Sequence, residues 1–160
     1  MKWLRPFLIV LVGALSLGTA PQTSQAPERL RKEVQAFVKA YVEAQNKVDA
    51  NALMEMVSQR PGVASISLGE ITRGWDGIRT AVDDMIGSEG VFKISLGTTD
   101  VETLGPSFVL VYAPCTITAA LEGEPVQYRG AASLVLEKTS GKWKVFHEHS
   151  SVELPEAEGD

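Results

Sequence analysis

The stretch Gly141-Lys142-Trp143-Lys144-Val145-Phe146-His147-Glu148-His149-Ser150-Ser151 gathers the side chains best able to do chemistry. His147 and His149 are the chain's 2 histidines. On a strand, alternation sends them to one face and Lys144, Phe146, Glu148 and Ser150 to the other. An HxH pair holds a metal when a third ligand converges on it. No third histidine exists and Glu148 points away, so the pair reads as packing or hydrogen bonding at a subunit interface. No metal or cofactor is expected. Glu148 offers different chemistry, because a carboxyl taken out of water resists ionisation unless a cation or donor pairs with it. With a raised pKa it serves as general base or acid. Paired with Arg73, Arg79 or Arg129, it forms a structural ion pair or orients a ligand.

Other reactive patterns are missing. The chain has no GxSxG elbow, CxxC or HExxH, and its nearest Gly-Lys, Gly141-Lys142, sits at a turn signal rather than in a phosphate loop. The single cysteine, Cys115, excludes a disulfide framework. It reads as a small buried hydrophobe in an apolar strand, with a reactive or intermolecular thiol as the alternative. Trp75, Tyr112, Tyr128 and Phe146 are candidates for a pocket wall, or else for core packing. Trp143 is expected on a convex face or at an interface.

These residues need a scaffold, and the composition provides for one. The 160 residues are 44% hydrophobic and 22% charged, which suits one packed domain and excludes wholesale disorder. The net charge of −5 argues against a nucleic-acid partner. Residues 1–26 stand apart. Lys2 and Arg5 precede the uncharged run Phe7–Leu17, and small residues follow. That run is too short for the ~20 apolar residues of a membrane helix and reads as an export signal with a linker, so the mature form has no membrane span. The alternative is an uncleaved anchor. Beyond residue 26, 13 basic residues face 20 acidic ones, a net charge of −7. The protein is expected in the periplasm or outside the cell.

Residues 27–153 form the expected domain, and 154–160 an acidic mobile tail. Leu30, Val34, Phe37, Val38, Tyr41, Val42 and Val48 repeat at helical spacing after Pro27. Asp49 is the N-cap of a short helix through Val57, which Arg60-Pro61-Gly62 stops. Val63–Leu68 reads as a strand and Trp75–Gly87 as a third helix. Long strands follow over Val91–Thr103, Ser107–Leu121, Val126–Lys138 and Lys142–Val152, separated by turn signals. Pro114 predicts a bulge or an edge position. Helices first and antiparallel strands after predict an α+β domain, with helices packed on a curved sheet and a pocket between the layers.

Three motifs carry a family resemblance. The GKW-x-V-x-HxHxS string resembles the end of SnoaL-like domains in the nuclear transport factor 2-like superfamily. It also resembles the closing strand of the association domain of calcium/calmodulin-dependent protein kinase. Arg73-Gly74-Trp75-Asp76-Gly77-Ile78-Arg79 resembles the opening of that superfamily's third helix. Tyr41-Val42-Glu43-Ala44-Gln45-Asn46-Lys47-Val48-Asp49 is similar to the end of its first helix. The resemblance spans about residues 28–152 and implies a cone-shaped α+β barrel, commonly a homodimer, with a pocket in the cone.

It also implies that Glu148 looks into the cone. Tyr41 stands where ketosteroid isomerases carry an oxyanion donor. The two acids those enzymes need are absent from the matching Ser67-Leu68-Gly69 and Ala132-Ser133-Leu134, so steroid isomerisation by that mechanism is excluded, although Glu70 lies close to the first. Ser150 and Leu134 replace arginines of the kinase domains, so a preference for acidic ligands does not transfer. The expected function is an exported domain that binds a small, partly apolar molecule. Its pocket would be lined by Tyr41, Trp75, Tyr112, Tyr128, Phe146, Glu148 and Ser150. One alternative is a proton-transfer enzyme of isomerase, dehydratase or cyclase type, with Glu148 as base and Tyr41 as donor. Another is an assembly module with Trp143, His147 and His149 at its interface.

Overall fold

The computed structural model describes residues 26–67, 69–87, 91–120 and 124–153. The export signal and the acidic tail read from the sequence lie outside the described residues, except that Ala26 is already docked. It is buried, and its amide donates to Val101 O at 3.1 Å.

The helices are α1 (Glu28–Asn46), α2 (Ala50–Met56) and α3 (Gly74–Gly87). The strands are β1 (Ala64–Ser67), β2 (Glu70–Arg73), β3 (Val91–Leu96), β4 (Asp100–Gly105), β5 (Phe108–Ala120), β6 (Val126–Thr139) and β7 (Lys142–Val152). They form one sheet in the order β2-β1-β7-β6-β5-β3, with β4 also paired to β5. Every pairing is antiparallel except β1 with β7. The sheet is mixed, mostly antiparallel and not closed, with the helices packed on its inner face as the α+β pattern predicts.

The apolar stripe of α1 buries Val34, Val38, Tyr41 and Ala44. The motif at its end is structural. Asn46 Nδ2 donates to Ile94 O at 2.8 Å, and Ile94 N donates to Asn46 Oδ1 at 2.7 Å. One side-chain amide thus satisfies both the N–H and the C=O of Ile94 on the free edge of β3. Asp49 then caps α2 by accepting from Ala52 N at 3.0 Å. Between them Val48 sits at φ 57°, a left-handed conformation that a β-branched side chain resists.

Three departures from the sequence reading have physical causes. The strand expected over Val91–Thr103 is two strands, broken at Gly97-Thr98-Thr99, because one side of β5 takes β3 along its second half and β4 along its first. Pro114 lies opposite that break. Its carbonyl accepts from Gly97 N at 2.8 Å, so its missing N–H costs no ladder bond and no bulge forms in β5. The four-residue β2 went unread because it is short and mostly exposed, with no alternation to reveal it.

The third departure is a bulge in β7. Val135 pairs with His147 but Leu136 pairs with Val145, leaving Phe146 as the extra residue. Alternation inverts there, so Trp143 and Val145 face the helices together with Glu148 and Ser150. Phe146 does not share Glu148's face. It packs edge-on against Phe108 (centroids 6.0 Å apart), with the Arg60 guanidinium over both rings. Trp143 is buried beneath α1 and is not on a convex face. Its indole N–H donates to Glu33 Oε1 at 2.9 Å, and the Lys138 ammonium lies 5.0 Å from the ring centre.

The inner face divides along the strands. Val109 and Val111 of β5, Leu136 of β6 and Val145 of β7 form a solid core with Val34 and Val38. Farther along the same strands the helices no longer fill the space, and a cavity opens.

Candidate functional site

The cavity has a volume of about 710 Å³. Its sheet wall is apolar over β3, β5 and β6, where Phe92, Ile94, Leu96, Cys115, Ile117, Ala119, Tyr128, Ala132 and Leu134 face it. Helix spacing builds the cover. Ile78, Ala81, Val82 and Met85 project from one side of α3, and Tyr41, Val42 and Gln45 from α1. Leu53 and Val57 close the end by α2.

The polar side comes from β2, β1 and β7. Register sets Thr72, Ser65 and Glu148 abreast, and Glu70, Ser67 and Ser150 abreast in the next inward-facing row. All six line the cavity. Ser67 and Ser150 are joined by a 3.2 Å hydroxyl contact.

Glu148 is the chemical centre. Tyr41 donates its hydroxyl to Oε2 at 2.7 Å, and Gln45 Nε2 reaches Oε1 at 3.5 Å. The carboxyl opens onto the cavity and is otherwise surrounded by protein. Burial pushes its pKa up. The hydrogen bonds from Tyr41 and Gln45 and the nearby His147 oppose that rise without cancelling it. Tyr41 is 3% exposed. Burial first, and then the charge of Glu148, push its phenol well above the ordinary value, so it stays protonated and donates.

The arginines expected as partners are elsewhere. Arg79 Nε donates to Asp83 at 2.9 Å, and its Nη1 donates to Asn51 at 3.1 Å. Arg73 and Arg129 are exposed. No lysine, arginine or histidine is among the described residues that line the cavity. Glu148 is therefore not locked in an ion pair. It is a carboxyl with a raised pKa beside a fixed hydroxyl donor, arranged to accept a hydrogen bond or exchange a proton with a molecule in the cavity.

Tyr41, Tyr128, Glu148 and Ser150 line the cavity together. Trp75, Tyr112 and Phe146 do not. Trp75 turns its indole toward α2, donating to Met54 O at 3.4 Å. Tyr112 holds an outward position on β5 and donates to Glu102 Oε1 at 2.9 Å. The bulge removes Phe146. His147 and His149 occupy the outward face of β7, in register with Ala64 and Ile66 of β1. Among the described residues no three His, Cys, Asp or Glu side chains converge as metal ligands.

Sequence reasoning missed Gln45, Ser65, Ser67, Glu70 and Thr72 as lining residues. Gln45 had a signal, since it lies one helical turn after Tyr41 on the same face. Ser65 and Ser67 alternate along β1, but only the parallel pairing to β7 places them beside Glu148.

Comparisons with known proteins agree with this architecture. No curated protein shows significant similarity to the chain. Among solved structures, a proposed aromatic ring hydroxylase from Novosphingobium aromaticivorans matches with TM-score 0.72 at 19% identity, covering 82% of this chain and 94% of that one. A proposed dehydratase of the NTF2-like family from Streptomyces avermitilis matches with TM-score 0.71 at 18% identity, over 81% and 99%. A proposed calcium/calmodulin-dependent protein kinase II association domain from Xanthomonas campestris matches with TM-score 0.66 at 18% identity, over 84% and 97%. At these identities the likeness establishes the fold alone. The family model for the SnoaL-like domain matches residues 34–155, which takes in all three helices and the whole sheet but for the first turns of α1. The chain thus belongs to the SnoaL-like domain family, on the fold of the nuclear transport factor 2-like superfamily.

Proposed function

We propose that this protein binds a small, partly apolar molecule in the cavity, with the molecule's polar end at Glu148. The observation that carries the reading is a half-buried carboxyl, held by Tyr41 and Gln45 with no cation beside it among the described lining residues, on the polar side of a largely apolar cavity of about 710 Å³. A structural glutamate needs no such space, and an empty apolar space needs no glutamate. Thermal shifts across a metabolite panel test it. At least one amphipathic compound is expected to raise the melting temperature, and Ala132→Phe, which fills the cavity beside Ser150, is expected to abolish that shift while the protein stays folded. Shifts that survive in Ala132→Phe would move binding away from the cavity.

The same site supports a second reading, proton transfer of the isomerase, dehydratase or cyclase type. Glu148 would act as base and Tyr41 as hydrogen-bond donor to developing negative charge. The likeness to the proposed Streptomyces dehydratase is in keeping with this. Glu148→Gln should abolish turnover without unfolding the protein, and turnover retained in that variant would refute the reading.

We further propose that the chain is exported on its Phe7–Leu17 segment and works as a homodimer. Ile71 and Tyr112 are 50% and 40% exposed on the outward face of the sheet, which also carries His149. A second copy packed there would cover them.

A further inference from the structure

The geometry points to a cationic ligand: an apolar body bearing a protonated amine, docked with its ammonium group on Glu148. This rests on the ligand-binding reading above and names the chemical class that the cavity selects.

The cavity is electrostatically one-sided. Glu148 stands inside it and Glu70 at its exposed edge, with no basic side chain among the described lining residues. A ligand carboxylate or phosphate would leave water to meet two acids and no counter-charge, which is costly where the dielectric is low. An ammonium brings the counter-charge that none of the described lining residues gives Glu148.

The hydrogen-bond inventory gives the same sign. Among the described residues, the two side-chain groups that hydrogen-bond to Glu148, the Tyr41 hydroxyl and the Gln45 amide, both donate to it. The ionised carboxyl retains acceptor capacity on both oxygens, so its complement from the cavity is a donor. Beside it in register stands Ser65, with Ser67 and Ser150 in the next row. These hydroxyls can accept the remaining hydrogens of an ammonium, which has three to give. An alcohol has one and no charge. The sheet wall running from Leu134, beside Glu148 on β6, to Ile117 and Phe92 on β5 and β3 is apolar and would hold the body of the ligand.

Three probes of matched shape, 4-phenylbutylamine, 4-phenylbutan-1-ol and 4-phenylbutanoate, test the inference by calorimetric titration of the full chain at neutral pH. The amine is expected to bind at least tenfold more tightly than the alcohol, and the carboxylate most weakly. Glu148→Gln should remove the amine's advantage over the alcohol. Equal affinities, a preference for the carboxylate, or an advantage that survives Glu148→Gln would overturn the amine inference while leaving the pocket reading intact. Absence of binding by all three probes and by every panel compound would overturn both.

Should Glu148→Gln fail to fold, the pH dependence of the unaltered protein decides. The other titratable groups lining the cavity are Tyr41 of α1, Glu70 of β2, Cys115 of β5 and Tyr128 of β6, with His147 next to Glu148 on the opposite face. Amine affinity should rise with pH as Glu148 ionises, and alcohol affinity should not. An amine profile as flat as the alcohol's would overturn the inference.

Discussion

Glu148 couples stability to pH in the direction opposite to most surface carboxylates. Burial raises its folded pKa above the ordinary carboxylate value, so over a window starting there the folded state keeps a proton that the unfolded chain has released. The unfolded state then binds fewer protons, and stability falls as pH rises. The contribution is intact below the ordinary carboxylate value and lost above the raised one. Urea unfolding at pH 4.5 and pH 8 should show Glu148→Gln with less of this decline than the unaltered protein. A steeper decline in the variant would reverse the assignment. Tyr41→Phe removes the principal donor to that carboxyl and should cost about 1–3 kcal/mol in urea unfolding, the range for a hydrogen bond to a carboxyl group.

Elements aim these residues, and β7 does so by a break in its own regularity. The bulge at Phe146 lets one strand seal the core with Trp143 and Val145, then present Glu148 and Ser150 to the cavity. Without it, strict alternation would turn either the tryptophan or the glutamate outward. Close approach of β6 and β7 beyond the bulge depends on Gly130, where any Cβ would overlap the Ser151 carbonyl. Gly130→Ala therefore forces the two strands apart. A loss of about 1–3 kcal/mol is expected, as for overpacking elsewhere. Thermal unfolding would check this, and an unchanged melting temperature would show that the pairing tolerates a side chain there.

At the scale of the molecule, one sheet has two faces with different occupants. The inner face is covered by helices and holds the core and the cavity. The outward face carries Val135 between Leu110 and His147, flanked by exposed Tyr112 and Ile71. No described element covers that strip. Light scattering should give the mass of two chains, and Val135→Asp should reduce it to one without loss of helix signal. A monomer at high concentration in the unaltered protein would remove the dimer proposal.

Much of the fold was legible in the sequence, because helix periodicity and strand composition are local properties. The stripe of α1, the Asp49 cap, the extent of α3 and the long β5–β7 run all follow from residues within a few positions of one another. Tyr41 and Glu148 could be singled out too, though 107 residues separate them, because each belongs to a motif. What remained was decided by partners distant in sequence. The bulge that sorts Trp143 and Phe146, the gap that accommodates Pro114 and the parallel β1 that sets Ser65 beside Glu148 are all matters of register between strands. Local pattern determined which residues could form the pocket. Tertiary pairing decided which of them face it, because a one-residue shift in a strand exchanges one face for the other.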